Sequence, residues 1–238
     1  MTSLIIGANG GIGRALVDAC LARGDAVLAV SRQPPEREHP RLQHIAGAAS
    51  EDEIGAAMEQ MGACQGDITR AVITTGLLHR DGEPRVFPEK RLQDIGSEQL
   101  LESFHINTVL PLLWVARLLP LLKGGKPCVL AALSARVGSI GDNRLGGWYS
   151  YRSSKAGLNM AMKTAAVEYA RRAPNVKLLA FHPGTTDTAL STPFQNNVPA
   201  EKLFSPAFVA DQLQQVSDGL EPDGQLSYLD WQGKPIPW

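Results

Sequence analysis

Tyrosine works as an acid and a base only where a neighbour adjusts its proton affinity. The stretch "WYSYRSSKAG", residues 148–157, offers two tyrosines and such a neighbour. Residues four apart on an α-helix stack one turn above each other, so Tyr151 and Lys155 share a face that Tyr149 does not. A phenol titrates near about 10, and drawing it down by about two units takes about 2.7 kcal/mol of differential interaction, which a close ammonium can supply. Such a pair can give a proton to a developing alkoxide or take one from an alcohol. No other tyrosine in the chain has a lysine four places downstream.

A second chemical feature opens the chain. "IIGANGGIGRAL" sets glycines at 7, 10, 11 and 13 between an apolar run and a helical pattern, a spacing that differs from G-x-G-x-x-G. Glycines permit unusual φ angles and let backbone N–H groups approach a pyrophosphate, which the helix N-terminus also attracts. The predicted phosphate cradle is Gly7, Asn9, Gly11, Ile12 and Gly13. The second apolar run ends "AVSRQ", where Ser31 and Arg32 supply a hydroxyl and a guanidinium. A carboxylate there would suit a free ribose 2′-hydroxyl, whereas a 2′-phosphate needs a cation, so the expectation is NADP(H) in preference to NAD(H). Arg14 could add to the positive field.

Elements must position these groups, and the periodicity supplies them. Short apolar runs ("SLIIGA", "AVLAVS", "RAVITT", "CVLAAL", "VKLLAF") alternate with segments of helical period. That pattern predicts one doubly wound α/β domain over 1–238, a parallel sheet with helices on both faces. Ligands in such folds bind beyond the carboxyl ends of the strands. "RQPPEREHPRLQ" (32–43) and "RDGEPRVFPEKRLQD" (80–94) read as surface loops.

With 44% hydrophobic and 20% charged residues, the composition is that of an ordinary globular protein. A formal net charge of −1 gives no reason to expect nucleic acid or an anionic membrane as partner. Cys20, Cys64 and Cys128 form neither a redox pair nor a zinc set, and the five histidines show no ligand spacing, so no metal is expected. "VLPLLWVARLLPLL" (109–122) carries Arg117 and two prolines and reads as a buried helix. The opening residues lack a signal-peptide pattern, and the expectation is a cytosolic protein.

Taken together, the glycine spacing and Tyr151-x-x-x-Lys155 resemble the short-chain dehydrogenase/reductase family, nearly end to end. "SARVGSI…GGWYSYRSSKAGLNM" and "GKPIPW" look most like its C-factor-like and sniffer-like carbonyl reductase branch. The resemblance implies a Rossmann-type fold and an oxidoreductase acting on a small carbonyl or alcohol. It implies Tyr151 as general acid/base, Lys155 as the group that lowers its pKa and grips the nicotinamide ribose, and Asn107 of "FHINTVLPLLW" in a proton relay. Ser134 of "VLAALSARVGSI" would orient the substrate oxygen. Ser134 lies four residues before Gly138 where relatives place serine three before, a slot held by Ala135, so Ser139 is the alternative. Pro183, Gly184, Thr186 and Thr188 of "FHPGTTDTAL" would line the nicotinamide.

Two further departures concern the cofactor. "TTG" at 74–76 stands where most members carry Asn-Asn-Ala-Gly, leaving Thr74 and Thr75 to support the central strand and Gly76 to allow close approach. "LQHIAGAAS" (42–50) lacks the aspartate used near the adenine, so that contact is unassigned. Relatives pair through the long helices, which implies a homodimer or homotetramer. Two rival readings remain: a Ser139–His182–Asp187 hydrolase, disfavoured by the missing G-x-S-x-G elbow, and an NADP(H)-binding signalling protein with little turnover.

Overall fold

The computed structural model describes residues 1–36, 38–47 and 49–238. Arg37 of the expected 32–43 loop and Ala48 of the 42–50 stretch lie outside the described residues. Seven strands form one parallel sheet: β1 (Thr2–Ile6), β2 (Ala26–Ser31), β3 (Leu42–Ala46), β4 (Ile68–Ile73), β5 (Cys128–Leu133), β6 (Val176–His182) and, after a short pair, β9 (Leu226–Asp230). The spatial order is β3-β2-β1-β4-β5-β6-β9, so the winding reverses between β1 and β4. A crevice opens at such a reversal. The short parallel pair β7 (Thr185–Thr186) and β8 (Leu203–Phe204) holds the long segment that follows β6.

The central strands read as unbroken apolar runs because helices cover both faces. Leu4, Ile6, Leu130 and Ala132 point to one core, while Ile5, Ala131 and Leu133 point to the other. The first core is closed by α2 (Glu51–Met61), α4 (Leu110–Leu122) and α5 (Tyr149–Arg172), with Trp114 fully buried at its centre. The second is closed by α1 (Gly11–Ala22) and α6 (Pro206–Asp218). Truncating Trp114 to alanine would cost about 3–5 kcal/mol, the usual consequence of emptying a large core position.

The buried helix expected at 109–122 is present, and it continues an earlier helix through an irregular turn. α3 (Ser97–Phe104) passes into a π-helical turn at His105–Val109 before α4 continues the same run. Residues Ser97–Leu122 are long and apolar enough to cross a bilayer, yet half of the most apolar window is buried inside the protein, as in a core helix. The widened turn carries Asn107, whose side chain is fully buried.

Candidate active site

The glycine loop leaves β1 with Gly7 at φ +84 and turns back through Gly10 N–H donating to the Gly7 carbonyl at 3.0 Å. A Cβ on Gly13 would sit 2.2 Å from the Gly7 oxygen, and one on Gly11 would sit 2.6 Å from Thr188 Cγ2. Only glycine fits at Gly13, where the obstacle is backbone, and a side chain at Gly11 would have to displace Thr188. The first turn of α1 carries no acidic residue and its cap provides no side-chain acceptor, so its leading N–H groups are free to hold an anion. Thr74 Oγ1 shares its hydrogen between the Ile6 and Gly7 carbonyls, at 2.8 and 3.0 Å, bracing the loop where most members of the resembled family carry an amide. Thr75 Oγ1 is buried without a hydrogen-bond partner among the described residues.

A cleft of about 640 Å³ follows this loop, lined by Gly7, Asn9, Ser31, Arg32, Thr75 and Gly76 among others. Gln33, Ala49, Arg80, His105 and Ile106 line it too, and sequence reasoning did not find them. Arg32 is exposed at the rim, while Ser31 Oγ donates to the Gln33 carbonyl at 2.6 Å. Asn9 Nδ2 donates to the same carbonyl at 2.7 Å, which ties the glycine loop to the end of β2. Arg14 pairs with Glu36 at 3.3 Å, with both side chains largely in solvent. Arranged so, the loop, the orphaned Thr75 hydroxyl and the rim cation fit a dinucleotide phosphate.

Gly76, at the edge of the cleft, lies against Lys155 of α5. Lys155 Nζ lies 5.9 Å from the centre of the Tyr151 ring and donates to the Leu133 carbonyl at 2.8 Å. A Cβ on Gly76 would lie 3.6 Å from Asn107 Oδ1 and 3.8 Å from Lys155 Nζ, so these three residues converge. Burial pushes the Tyr151 phenol above its ordinary range, with the Tyr228 phenol adding in the same direction. Burial pulls Lys155 down to about 8. The expected lowering of Tyr151 by Lys155 is therefore not the arrangement of the protein alone, in which desolvation dominates both groups.

Asn107 spends its amide inside the protein. Its Oδ1 accepts from Leu77 N–H at 2.8 Å, and its Nδ2 donates to the Leu77 carbonyl at 2.8 Å and to Ser154 Oγ at 3.1 Å. It staples the loop after β4 to the turn of α5 between Tyr151 and Lys155. Ser134 Oγ likewise gives its hydrogen to Asn159 Oδ1 at 2.6 Å. Ser139 Oγ accepts from Asp142 N–H at 3.0 Å and keeps its own hydrogen.

The segment after β6, expected to line the nicotinamide, returns to the glycine loop, with Thr188 against Gly11. Gly184, at φ +74, packs on Phe204 and Trp231, and Thr186 is buried beside it. Pro183 is half-buried at the end of β6. Phe194 of this segment touches Trp148 at 5.1 Å and Phe87 at 5.2 Å between ring centres, and Trp148 stands edge-on to Tyr151 at 6.2 Å. An aromatic wall thus rises beside the phenol. Gly146, Gly147 and Trp148 all have positive φ (63, 65 and 52), a tight lead into α5. Glu89, from the 80–94 loop, caps that helix by accepting from Ser150 N–H at 3.1 Å and from the Ser150 hydroxyl. The rival hydrolase set is not assembled: His182 Nδ1 has no hydrogen-bond partner among the described residues, and Asp187 accepts from Gln195.

The profile of the short chain dehydrogenase family matches residues 2–199. C-signal of Myxococcus xanthus is 33% identical over 147 residues, covering 62% of this chain and 83% of that protein. A benzil reductase of Bacillus cereus is 24% identical over 254 residues, covering 95% of this chain and 98% of that one. Among solved structures, a carbonyl reductase from Pseudomonas aeruginosa PAO1 in complex with NADP superposes with a TM-score of 0.80 at 25% identity, covering 100% of this chain and 99% of that one. With a glycine cradle, a tyrosine–lysine helix and a profile match over most of its length, the chain belongs to the short chain dehydrogenase family of oxidoreductases.

Proposed function

We propose that this protein is an NADP(H)-dependent carbonyl reductase that uses Tyr151 as its proton donor. The observation that carries the reading is the convergence of Lys155 and Asn107 on Gly76, a residue that lines the cleft, with the Lys155 ammonium 5.9 Å from the Tyr151 ring. NADPH bound there would supply the hydride. The first turn of α1 and the Gly7–Gly13 loop would hold its pyrophosphate, Thr75 would satisfy its buried hydroxyl on it, and Arg32 would face the 2′-phosphate.

The chain's own groups handle the proton. Kept protonated by burial, Tyr151 can donate to a substrate carbonyl oxygen as negative charge develops there, and the charged Lys155 steadies the phenolate left behind. Each turnover forms one C–H and one O–H bond, and the phenol regains its proton from solvent. We assign to the Ser134 hydroxyl, which points at Asn159, the role of holding the β5–α5 connection in place, and to Tyr151 that of principal donor to the oxygen. Trp148, Phe194 and Phe87 favour ketones or diketones that carry an aryl or apolar group, a preference in keeping with the likeness to a benzil reductase. An NADPH-oxidation screen over aryl ketones, α-diketones, quinones and aldehydes tests the reading; turnover with none of these would count against it.

A second reading has two observations in its favour. The likeness to C-signal, together with Ser134 committed to Asn159, suits an NADP(H)-binding signalling protein with little turnover. Tight NADPH binding without oxidation across the screen would select it.

A further inference from the structure

The loop from Ser134 to Gly141 lies directly on the turn of α5 that carries Lys155. A Cβ on Gly138 would fall 2.9 Å from both the carbonyl carbon and the Cβ of Lys155, so nothing separates the two. On this inner side the loop is tied to α5 by Asn159, which accepts from Ser134 and donates to the Gly138 carbonyl at 3.5 Å. Its outer side is held by the last residues of the chain. Tyr228 Oη donates to the Ala135 carbonyl at 2.7 Å, and Arg136 pairs with Asp230 at 3.1 Å. Gly141 N–H donates to the Trp238 carbonyl at 2.8 Å, with the Trp238 ring 5.3 Å from that of Tyr228. The loop is therefore sandwiched between the reacting helix and the carboxy-terminal strand.

We propose that Tyr228 is a positioning residue: its buried hydroxyl clamps the 134–141 loop onto the Lys155 turn and so sets the ammonium against Tyr151. The inference rests on the carbonyl reductase reading for its kinetic consequence, though not for the clamp itself. Tyr228 is nearly all buried and its ring packing survives loss of the hydroxyl, which makes Tyr228→Phe the informative variant. Tyr169 provides the matched control, because its buried hydroxyl donates to the Val115 carbonyl at 2.6 Å, between α5 and α4.

Two measurements on the full chain decide it. In steady-state kinetics, Tyr228→Phe lowers kcat about tenfold, the scale of one buried hydrogen bond, while the KM for NADPH stays within about twofold. In hydrogen exchange, the Gly138, Ser139 and Gly141 amides of Tyr228→Phe exchange at least about tenfold faster, a change Tyr169→Phe does not produce. An unchanged kcat, an unchanged exchange rate in the loop, or the same kinetic loss in Tyr169→Phe would overturn the proposal. If the parent shows no turnover, the carbonyl reductase reading fails, and the exchange comparison still decides the clamp: a loosened loop supports it and a protected one overturns it.

Discussion

Lys155 Nζ donates to the Leu133 carbonyl at 2.8 Å, tying the last residue of β5 to the helical turn below Tyr151. The ammonium is thus fixed by the sheet, and its charge depends on how far burial has lowered its pKa. Burial pulls Lys155 from 10.5 to about 8 and pushes Tyr151 up, so the lysine loses its charge first as pH rises. The kcat/KM for carbonyl reduction should be level below that value and fall about tenfold per pH unit above it. A profile flat to pH 10 would show that the lysine charge does not matter.

Arg32 stands exposed at the cleft rim with no carboxylate at the end of β2. NADPH is expected to bind at least about tenfold more tightly than NADH, the scale of one charge-assisted contact. Arg32→Asp should close or reverse that gap in a fluorescence titration. Equal affinities in the parent would remove the role given to this side chain.

Ser134→Ala removes the donor to Asn159 Oδ1 and leaves that oxygen buried and unpaired. The expected cost is about 1–3 kcal/mol of stability, read by denaturant unfolding, with kcat lowered less than about tenfold. A loss of more than about a hundredfold with unchanged stability would place the hydroxyl on the substrate instead.

His182 is half-buried beside Arg136 and Asp230 with its Nδ1 in the interior, and burial, with Arg136 adding, holds its pKa down to about 4, from 6.5. The unfolded chain takes up the proton first, so stability is full above about pH 6.5 and is lost as pH falls toward 4. The linked loss approaches about 3 kcal/mol over that window. Replacing His182 with Asn should flatten that part of the pH–stability curve; an identical acid slope in the variant would assign it to other groups.

Much of this was legible along the chain. The sheet and its helices follow from apolar runs buried on both faces, and the glycine cradle and the Tyr151–Lys155 pair follow from local spacing. What escaped notice joins residues far apart in sequence. Glu89 caps α5 from 61 residues away, Ser134 gives its hydrogen to Asn159 25 residues on, and Tyr228 reaches Ala135 across 93. No period marks such contacts. The π turn around Asn107 was hidden for another reason: one extra residue in a helical turn leaves the apolar run of 97–122 unbroken.

The most direct test of the central claim compares Tyr151→Phe with the parent in NADPH oxidation by an aryl ketone or α-diketone, alongside NADPH binding. Loss of the phenolic proton should cost at least about a hundredfold in kcat while the dissociation constant for NADPH stays within a few-fold. A variant that turns over at the parent rate would contradict the account.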